Sequence, residues 1–292
     1  MNILLTGVNS FIGRNLGSWF HQQGHTVTGT VRREKHESFR PAWLKKSLIL
    51  DLSEPEDIDG SFFEDIQIVI HLAHDFRPGT AEVNIGATKI LAERAFEAGA
   101  GKQIYFSSYS ARPDSVSEYG FVKHSLERYF LENGHIIVRP GLVIGNGGMF
   151  KRLYDAVKKF PVIPLIDGGK GEAPIVSMRQ LCEVVGRLVS SPLSGMEVNI
   201  FYPELITMRT LADVMKSVSN SKALFVPVPL GVAILTAGIC SLFGIKLPFD
   251  AGSAKSFRKN QEKIYESNVA DFLDDYDSAR DSVKAAFSGA RG

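Results

Sequence analysis

The chain has 292 residues, a formal net charge of +1 and 44% hydrophobic residues. A charge this close to zero provides no overall field that would recruit nucleic acid or an anionic membrane. The two cysteines, Cys182 and Cys240, match no metal-site spacing, so we expect no bound metal and a reducing, cytoplasmic setting. The composition predicts a soluble globular protein with a substantial core, as one large domain or two ordinary ones.

Apolar runs and amphipathic segments alternate through the first half of the chain. The runs predict strands over residues 3–5, 25–31, 47–50, 67–72, 104–107 and 135–139. The amphipathic segments predict helices over 11–23 and 80–98, and the capping-box pattern Ser115-Val116-Ser117-Glu118 predicts the start of a third. This alternation indicates an α/β fold, a Rossmann-type doubly wound parallel sheet with helices on both faces.

The regular alternation weakens after about residue 160. Prolines and glycines interrupt the pattern, and helices are predicted over 178–190, 207–219, 229–243 and 276–287. We therefore predict a Rossmann domain over 1–164, to which the segment 173–200 returns, and a smaller, mainly helical substrate-binding region over 165–292. The apolar stretch 226–249 contains prolines and glycines, so we expect a buried helix or an apolar wall. Peripheral membrane contact is the alternative to this interpretation, and no membrane insertion is expected.

A glycine-containing turn follows the first predicted strand and opens the first predicted helix. Gly7 permits a tight turn, and Gly13 permits close packing of the helix on the strand. Free amides at the helix N-terminus offer hydrogen bonds to a pyrophosphate. Ser10 stands where the dinucleotide-binding pattern has its middle glycine. We predict a dinucleotide site formed by Gly7, Ser10, Phe11, Ile12 and Gly13, with an ordinary strand–helix turn as the alternative.

Two arginines, Arg32 and Arg33, follow the second predicted strand. An acidic residue at this position would bind the ribose hydroxyls of NAD, whereas an arginine pairs with the 2′-phosphate of NADP. No aspartate or glutamate stands at the strand's tip, and Glu34 comes late. The pattern therefore favours NADP, with NAD as the second cofactor to consider and a solvated basic turn as the alternative.

A tyrosine and a lysine lie four residues apart in Tyr119-Gly120-Phe121-Val122-Lys123. Side chains with this spacing share one face of a helix. A nearby ammonium favours the phenolate, so we expect Lys123 to lower the pKa of Tyr119 and make it an acid/base group near neutral pH. Ser108, after the fifth strand, supplies a hydroxyl, with Tyr109 or Ser110 as substitutes. A surface helix pair is the alternative interpretation.

Taken in order, these motifs resemble the extended short-chain dehydrogenase/reductase family, in its NAD(P)-dependent nucleotide-sugar epimerase, dehydratase and reductase group. Thr6-Gly7-x-x-Ser10-x-x-Gly13 is similar to the family's glycine motif, and Tyr119-x-x-x-Lys123 to its catalytic motif. His71-Leu72-Ala73-His74, Ser107-Ser108 and Arg139-Pro140-Gly141 are similar to further family segments. The resemblance implies additional cofactor contacts from Asp51, Leu52, Leu72, Ala73, His74, Asn84, Lys123 and Pro140.

The resemblance implies hydride transfer at a hydroxyl or keto carbon, most simply of a nucleotide-linked sugar. Tyr119 would move the proton on the substrate oxygen, Lys123 would support Tyr119, and Ser108 would hold that oxygen. The residues after Ser108 are not acidic, which argues against a 4,6-dehydratase and leaves a ketosugar reductase or an epimerase. The arginines after the second strand favour an NADP-linked reductase.

Three further points stay open at this stage. A relative that binds NADP(H) without turnover, as a regulator or an accessory subunit of respiratory complex I, is one alternative. A reductase of an apolar ketone is another, which the 226–249 stretch supports. The resemblance also permits a homodimer formed through helices 80–98 and 116–133. Candidate ligands for a substrate diphosphate are Arg179, Arg209, Lys222 and Arg258.

Overall fold

The computed structural model describes residues 1–232, 262 and 265–288, and the chain divides into two compact units. The first unit consists of Met1–Pro113, Glu118–Arg139 and Cys182–Val198. The second consists of Asp114–Ser117, Pro140–Leu181 and Asn199–Gly292. The predicted boundary at residue 164 separates cofactor binding from substrate binding, and it stays a prediction. By compactness the second unit begins earlier, because the strand that follows Pro140 pairs outside the large sheet.

A seven-stranded sheet organises the first unit. Its strands are β1 (Asn2–Thr6), β2 (Thr26–Val31), β3 (Leu44–Ile49), β4 (Ile68–His71), β5 (Lys102–Phe106), β6 (Ile136–Pro140) and β11 (Glu197–Ile200). The order is β11-β6-β5-β4-β1-β2-β3, and the pairings from β3 through β6 are parallel. The chain order reverses between β1 and β4, which is the doubly wound arrangement. The predicted fold class is confirmed.

Helices pack on this sheet through apolar stripes that the sequence spaces by one helical turn. They are α1 (Phe11–Gln22), the short α2 (Arg33–His36), α3 (Ala81–Glu97) and α4 (Glu118–Glu132). Leu16 and Phe20 of α1 are fully buried. Leu91 of α3 packs in one core cluster with β-strand residues, and Phe130 of α4 packs in a second cluster. Both clusters pack a helix against the sheet.

The second unit contains shorter elements. Its strands are β7 (Leu142–Ile144), β8 (Val162–Ile166), β9 (Glu172–Ala173), β10 (Ile175–Ser177), β12 (Ile206–Thr207) and β13 (Leu224–Val228). These strands form two-stranded pairs, β7 with β10, β8 with β13 and β9 with β12. Its helices are α5 (Gly148–Lys159), α7 (Met208–Ser219), α8 (Val269–Phe272) and α9 (Ala279–Ser288), while α6 (Met178–Ser190) runs from this unit into the first.

The structure confirms most predicted elements and changes some boundaries. Helices predicted over 178–190, 207–219 and 276–287 are present as α6, α7 and α9. Helix α5 was not predicted, although Phe150, Tyr154 and Val157 form a buried stripe at helical spacing. The capping box is not formed, because α4 begins at Glu118 and the Glu118 carboxylate accepts the Gly79 amide at 3.0 Å.

The predicted helix over 229–243 lies almost wholly outside the described residues, as do most of the apolar stretch 226–249 and Arg258. Strand β13 accounts for the start of that stretch. Within the residues that the structure describes, no helix has the length and apolar character needed to cross a membrane.

Candidate active site

The turn after β1 has no room for side chains at its two glycines. Gly7 has a φ of +64°, and a Cβ there would lie 3.1 Å from the Ala73 Cα. A Cβ on Gly13 would lie 2.7 Å from the Gly7 carbonyl oxygen, which is a backbone clash. The turn is therefore as tight as a dinucleotide loop requires, at the strand order reversal where such ligands bind.

Ser10 takes a structural role at the position where the pattern expects glycine. It is the N-cap of α1, and its Oγ accepts the Gly13 amide at 3.0 Å. The amides of Phe11 and Ile12 stand in the first turn of the helix, where no intrahelical acceptor exists. These two amides and the positive end of the helix dipole fit the pyrophosphate of a dinucleotide.

Two threonines, to which the sequence motifs gave no role of their own, hold the strand ends together. The Thr6 Oγ1 accepts the amides of Leu72 and Ala73, both at 2.9 Å. The Thr30 Oγ1 accepts the Gly7 amide at 3.1 Å. The ends of β1 and β2 and the loops after β1 and β4 are thus cross-linked by hydroxyl groups. A threonine in the last positions of a strand is the sequence signal for this role.

The two arginines after β2 have different surroundings. The Arg32 Nε lies 3.4 Å from a Glu34 carboxylate oxygen, and the Arg32 side chain is 66% exposed. The Arg33 guanidinium lies 3.9 Å from Glu54 and 4.0 Å from Asp57. Arg32 directly follows β2 and pairs with one carboxylate, whereas Arg33 faces two, so Arg32 is the better placed of the two to receive a phosphate.

Asp51 and Leu52 follow β3, as the adenine-binding assignment requires. The Asp51 Oδ1 accepts the Ser53 amide at 2.9 Å and the Ser53 hydroxyl at 2.6 Å. These hydrogen bonds lower the pKa of Asp51. Leu52, like Leu48, packs against the core cluster that contains Leu4 and Leu50. A contact of either residue with adenine stays a prediction.

Asn84 of α3 clamps the loop that follows β4. Its Oδ1 accepts the Asp75 amide at 2.8 Å, and its Nδ2 donates to the carbonyls of Asp75 and Thr80 at 2.9 and 3.0 Å. Asp75 also binds Arg77 through both carboxylate oxygens. The sequence motif identified Asn84 but not the loop it holds, since that pairing needs two segments brought together by folding.

Tyr119 lies in the first turn of α4, with its ring partly buried beside Ser108. A side-chain hydrogen bond joins Tyr119 to Ser108 and lowers the pKa of Tyr119, but desolvation by burial has the larger effect and raises it. The Ser108 Oγ is 2.9 Å from the Ser110 Oγ, so the phenol and two hydroxyls form one chain. Ser110, considered as a substitute for Ser108, is thus its hydrogen-bonding neighbour.

Lys123 sits below Tyr119 but is not hydrogen-bonded to its phenol. Its Nζ donates to the Phe106 carbonyl at 2.7 Å and lies 5.6 Å from the centroid of the Tyr119 ring. Burial lowers the pKa of Lys123 to about 7, against a smaller raising effect of Glu127. The expectation that Lys123 would lower the pKa of Tyr119 is not met, because desolvation of the phenol outweighs the hydrogen bond that lowers its pKa.

A buried charge network supports this helix from below. Glu127 of α4 accepts Arg139 Nε at 2.5 Å and a second Arg139 nitrogen at 2.8 Å. The Ser107 hydroxyl donates to the same carboxylate at 2.5 Å, and Arg139 also reaches Glu197 at 2.6 Å. Ser107 therefore fixes α4 against the sheet, which leaves Ser108 as the serine that faces Tyr119.

One short segment, residues 72–74, joins the glycine turn to Tyr119. The backbone of Ala73 lies against Gly7, and the His74 ring meets the Tyr119 ring edge-on, with 4.9 Å between centroids. Burial lowers the pKa of His74 to about 3, so its imidazole is neutral. The structure thus brings Ser108, Tyr119 and Lys123 together, next to the predicted pyrophosphate loop. Pro140, the last residue of β6, begins the second unit.

The family model of the NAD dependent epimerase/dehydratase family matches residues 3–157 of the chain. This range contains the glycine turn, Ser108, Tyr119 and Lys123. An uncharacterized protein, y4nG of Sinorhizobium fredii, is 25% identical over 270 residues, covering 83% of this chain. The chain spans 66% of the length of that relative.

Solved structures share the fold at low sequence identity. A nucleoside-diphosphate-sugar epimerase from Staphylococcus aureus superposes with a TM-score of 0.75 at 15% identity, over 97% of this chain and all (100%) of that chain. MoeE5, solved in complex with UDP-glucuronic acid and NAD, gives a TM-score of 0.67 at 19% identity, over 78% of this chain and 86% of that chain. At these identities the likeness establishes the fold.

Proposed function

The chain belongs to the NAD dependent epimerase/dehydratase family, and we propose that it is an NADP-linked oxidoreductase that acts on a nucleotide-linked sugar. One observation carries the proposal. Residues 72–74 touch Gly7 at one end and the Tyr119 ring at the other. A dinucleotide whose pyrophosphate lies on the glycine turn therefore extends toward the phenol, because both sites share this segment.

In the proposed reaction each of the three side chains has its own role near the substrate oxygen. When bound, the nicotinamide supplies or accepts a hydride at the substrate carbon. Tyr119 gives its proton to the oxygen in reduction and takes it back in oxidation. Ser108, already hydrogen-bonded to Tyr119, holds the same oxygen and stabilises charge that develops on it. Lys123 ties α4 to the end of β5, next to Tyr119, through its hydrogen bond to the Phe106 carbonyl.

Tyr119 is in the protonation state that donates to a carbonyl oxygen. Burial raises its pKa, so the phenol keeps its proton at neutral pH. The arginines after β2 make us favour an NADP-linked ketosugar reductase. An epimerase, in which this group alternately takes and gives the proton, is the second candidate.

The choice of NADP rests on Arg32. Its side chain is two-thirds exposed at the tip of β2, where the cofactor's adenosine ribose is expected. An arginine there pairs with a 2′-phosphate through two parallel hydrogen bonds. Glu34 is the competing acidic group, and it forms an exposed ion pair with the Arg32 Nε at 3.4 Å, which a 2′-phosphate would have to displace.

Two further features of the protein complete the proposal. The helices α3 and α4 pack beside each other, and we propose that this pair forms the contact of a homodimer. Cys182 is buried, and burial raises the pKa of its thiol to about 12, which makes it unreactive. A free thiol of this kind suits the cytoplasm, where we place the enzyme.

The test is an absorbance assay of NADPH consumption with a panel of 4-keto nucleotide sugars. A reductase consumes NADPH in proportion to substrate, whereas an epimerase interconverts UDP-sugars without net consumption. The panel should also include apolar ketones. Tight NADP(H) binding with no turnover of any compound would overturn the proposal in favour of a regulator or accessory subunit.

A further inference from the structure

The two-stranded sheet formed by β8 and β13 has one exposed, apolar side. The parallel register pairs Leu224 with Val162 and Val226 with Pro164, so these four side chains project from the same side of the sheet. Leu224 is 63% exposed, Val162 50% and Val226 44%, and Pro164 is exposed as well. These four residues are called the apolar face below. Phe160, two residues before Val162, is a further exposed apolar residue at the start of β8.

The opposite side of the same sheet packs on the protein. Leu165 is buried there, and the Phe225 ring has the cations of Arg209 and Lys216, both on α7, at 5.3 and 5.6 Å from its centroid. The exposure is therefore confined to one side of the sheet. Exposed apolar residues that adjoin one another, in contrast to single scattered ones, mark a surface that binds a partner.

Three lysines stand at one end of the apolar face. Because β8 and β13 run parallel, Lys158 and Lys159 before β8 and Lys222 before β13 lie at the same end of the sheet. All three are exposed, and none forms an ion pair with a residue that the structure describes. Apolar side chains bordered by lysines are the combination that binds the interface of an anionic membrane.

We propose that the apolar face and its three lysines dock the protein on an anionic lipid membrane. The apolar side chains enter the boundary between headgroups and acyl chains, and the lysines pair with lipid phosphates. The sequence extends this surface, because residues 226–245, which begin within β13, contain no charged residue. The inference goes beyond the proposed function, since none of these residues belongs to the candidate active site.

A second copy of the chain is the competing occupant of the apolar face, and two observations argue against it. A symmetric dimer through this face would bring two sets of three lysines to one interface, where like charges repel. Pairing through the strand edges is opposed by Pro164 in β8 and Pro227 in β13, because proline has no amide to donate to a further strand. Lipid phosphates complement the lysines, whereas a second copy does not.

Sedimentation of the full chain with lipid vesicles tests the proposal. We expect the protein to bind mixed phosphatidylcholine–phosphatidylglycerol vesicles at low salt about tenfold more tightly than vesicles of phosphatidylcholine alone, and high salt should remove this difference. Replacing the three lysines with glutamine should remove it as well. Leu224→Glu should weaken binding to the mixed vesicles by about tenfold, because it places a charge within the apolar face.

The matched control is Leu193→Glu, which makes the same charge change at an exposed leucine of the first unit and should bind like the wild type. Val162→Glu, on the apolar face, repeats the test in a second variant, and circular dichroism shows whether each variant is folded. A wild type that does not bind mixed vesicles overturns the proposal, and so does equal weakening by Leu224→Glu and Leu193→Glu.

Two further results would also decide against the membrane. Equal binding of the wild type to both kinds of vesicle would show that the lysines recognise no headgroup. A wild-type oligomer that Leu224→Glu dissociates and Leu193→Glu does not, measured by analytical ultracentrifugation, would assign the apolar face to a second copy of the chain.

Discussion

Desolvation by burial determines the pKa shifts of Tyr119 and Lys123 more than neighbouring groups do. Both side chains are taken out of water, so the pKa of the phenol rises and that of the ammonium falls to about 7. Burial therefore keeps the phenol protonated at neutral pH and leaves the ammonium close to its midpoint of titration. The Ser108 hydroxyl is the neighbour that stabilises the phenolate, since its hydrogen bond lowers the pKa of Tyr119. In the proposed mechanism this role adds to the hydrogen bond that Ser108 makes with the substrate oxygen.

Replacing Tyr119 with Phe removes the proton donor and keeps the ring that His74 and Phe76 contact. We expect kcat to fall by about 10²–10⁴-fold, the usual contribution of a positioned acid, while NADPH affinity changes little. The measurements are steady-state kinetics and a fluorescence titration with NADPH. The matched control is Tyr129→Phe on the same helix, whose hydroxyl donates to Glu93 instead. Wild-type turnover in Tyr119→Phe would remove the phenol from the mechanism.

We expect the protein to lose stability in acid because of the buried His71. It is buried, its Nε2 lies 2.8 Å from the Gln103 Oε1, and burial lowers its pKa from 6.5 to about 3. Between these values the unfolded chain binds a proton that the folded protein does not, so the free energy of unfolding falls as the pH decreases. From pH 6.5 to pH 4.5 this single group accounts for about 2 kcal/mol.

Urea unfolding at the two pH values tests this linkage. In His71→Gln the decrease in unfolding free energy between them should be smaller by about that amount. The exposed His21, on α1, provides the control substitution His21→Gln, which should leave the pH dependence as it is in the wild type. A His71→Gln protein with the wild-type pH dependence would contradict the assignment.

At the scale of residues, the sequence predicted which residue types form the candidate site and how they are spaced, but not their protonation states. Ser108, Tyr119 and Lys123 could be selected because their spacing and their order after strands are readable. The direction in which the pKa of Tyr119 shifts could not be predicted, because it depends on how much water the fold removes from around the phenol. The contact of Phe76 with the Tyr119 ring gave no signal in the sequence, since the neighbours of a loop residue are known only from the structure.

At the scale of elements, the glycine turn depends on the absence of side chains. A Cβ on Gly13 would meet the carbonyl oxygens of Gly7 and Val8 at 2.7 and 2.8 Å, and both are backbone atoms that cannot rotate away. Gly86, in the middle of α3, has no atom within 4 Å of the corresponding position. Replacing Gly13 with alanine therefore tests a steric requirement, whereas replacing Gly86 with alanine tests helix propensity alone.

We expect Gly13→Ala to lower the free energy of unfolding by about 1–3 kcal/mol and to weaken NADP⁺ binding, because the turn must open. Gly86→Ala should instead leave stability unchanged or raise it by up to about 1 kcal/mol, since alanine is the better helix former. Urea unfolding and NADP⁺ titration of both variants measure this. Similar destabilisation by the two substitutions would contradict the steric argument.

The longer elements were predictable from periodicity, and the shorter ones were not. Strand β4 is buried along its length and reads as a continuous apolar run, while α6 and α7 carry clear helical stripes. Strands β9 and β12 have two residues each, too few for any period to appear. The start of β3 at Leu44 was missed because Lys45 and Lys46 interrupt its apolar character.

At the scale of the whole molecule, the first unit by itself contains the glycine turn, Arg32, Ser108, Tyr119 and Lys123. The strand order places the predicted cofactor residues at the carboxyl ends of adjacent strands, with β1 between β4 and β2. Cofactor binding should therefore stabilise this unit against unfolding, because a ligand that binds only the folded state shifts the folding equilibrium.

The size of that shift distinguishes the two cofactors. A ligand at 100 times its dissociation constant adds about 2.7 kcal/mol, which raises the Tm of a protein this large by about 4–5 °C. We expect NADP⁺ to raise the Tm more than NAD⁺ at equal concentration, because Arg32 meets the 2′-phosphate. Arg32→Ala should bring the NADP⁺ shift down to the NAD⁺ shift, while the control Arg40→Ala, which removes an exposed arginine paired with Glu37, keeps the difference. Equal shifts for the two cofactors in the wild type would show that Arg32 recognises no phosphate and that NAD is the cofactor to assay.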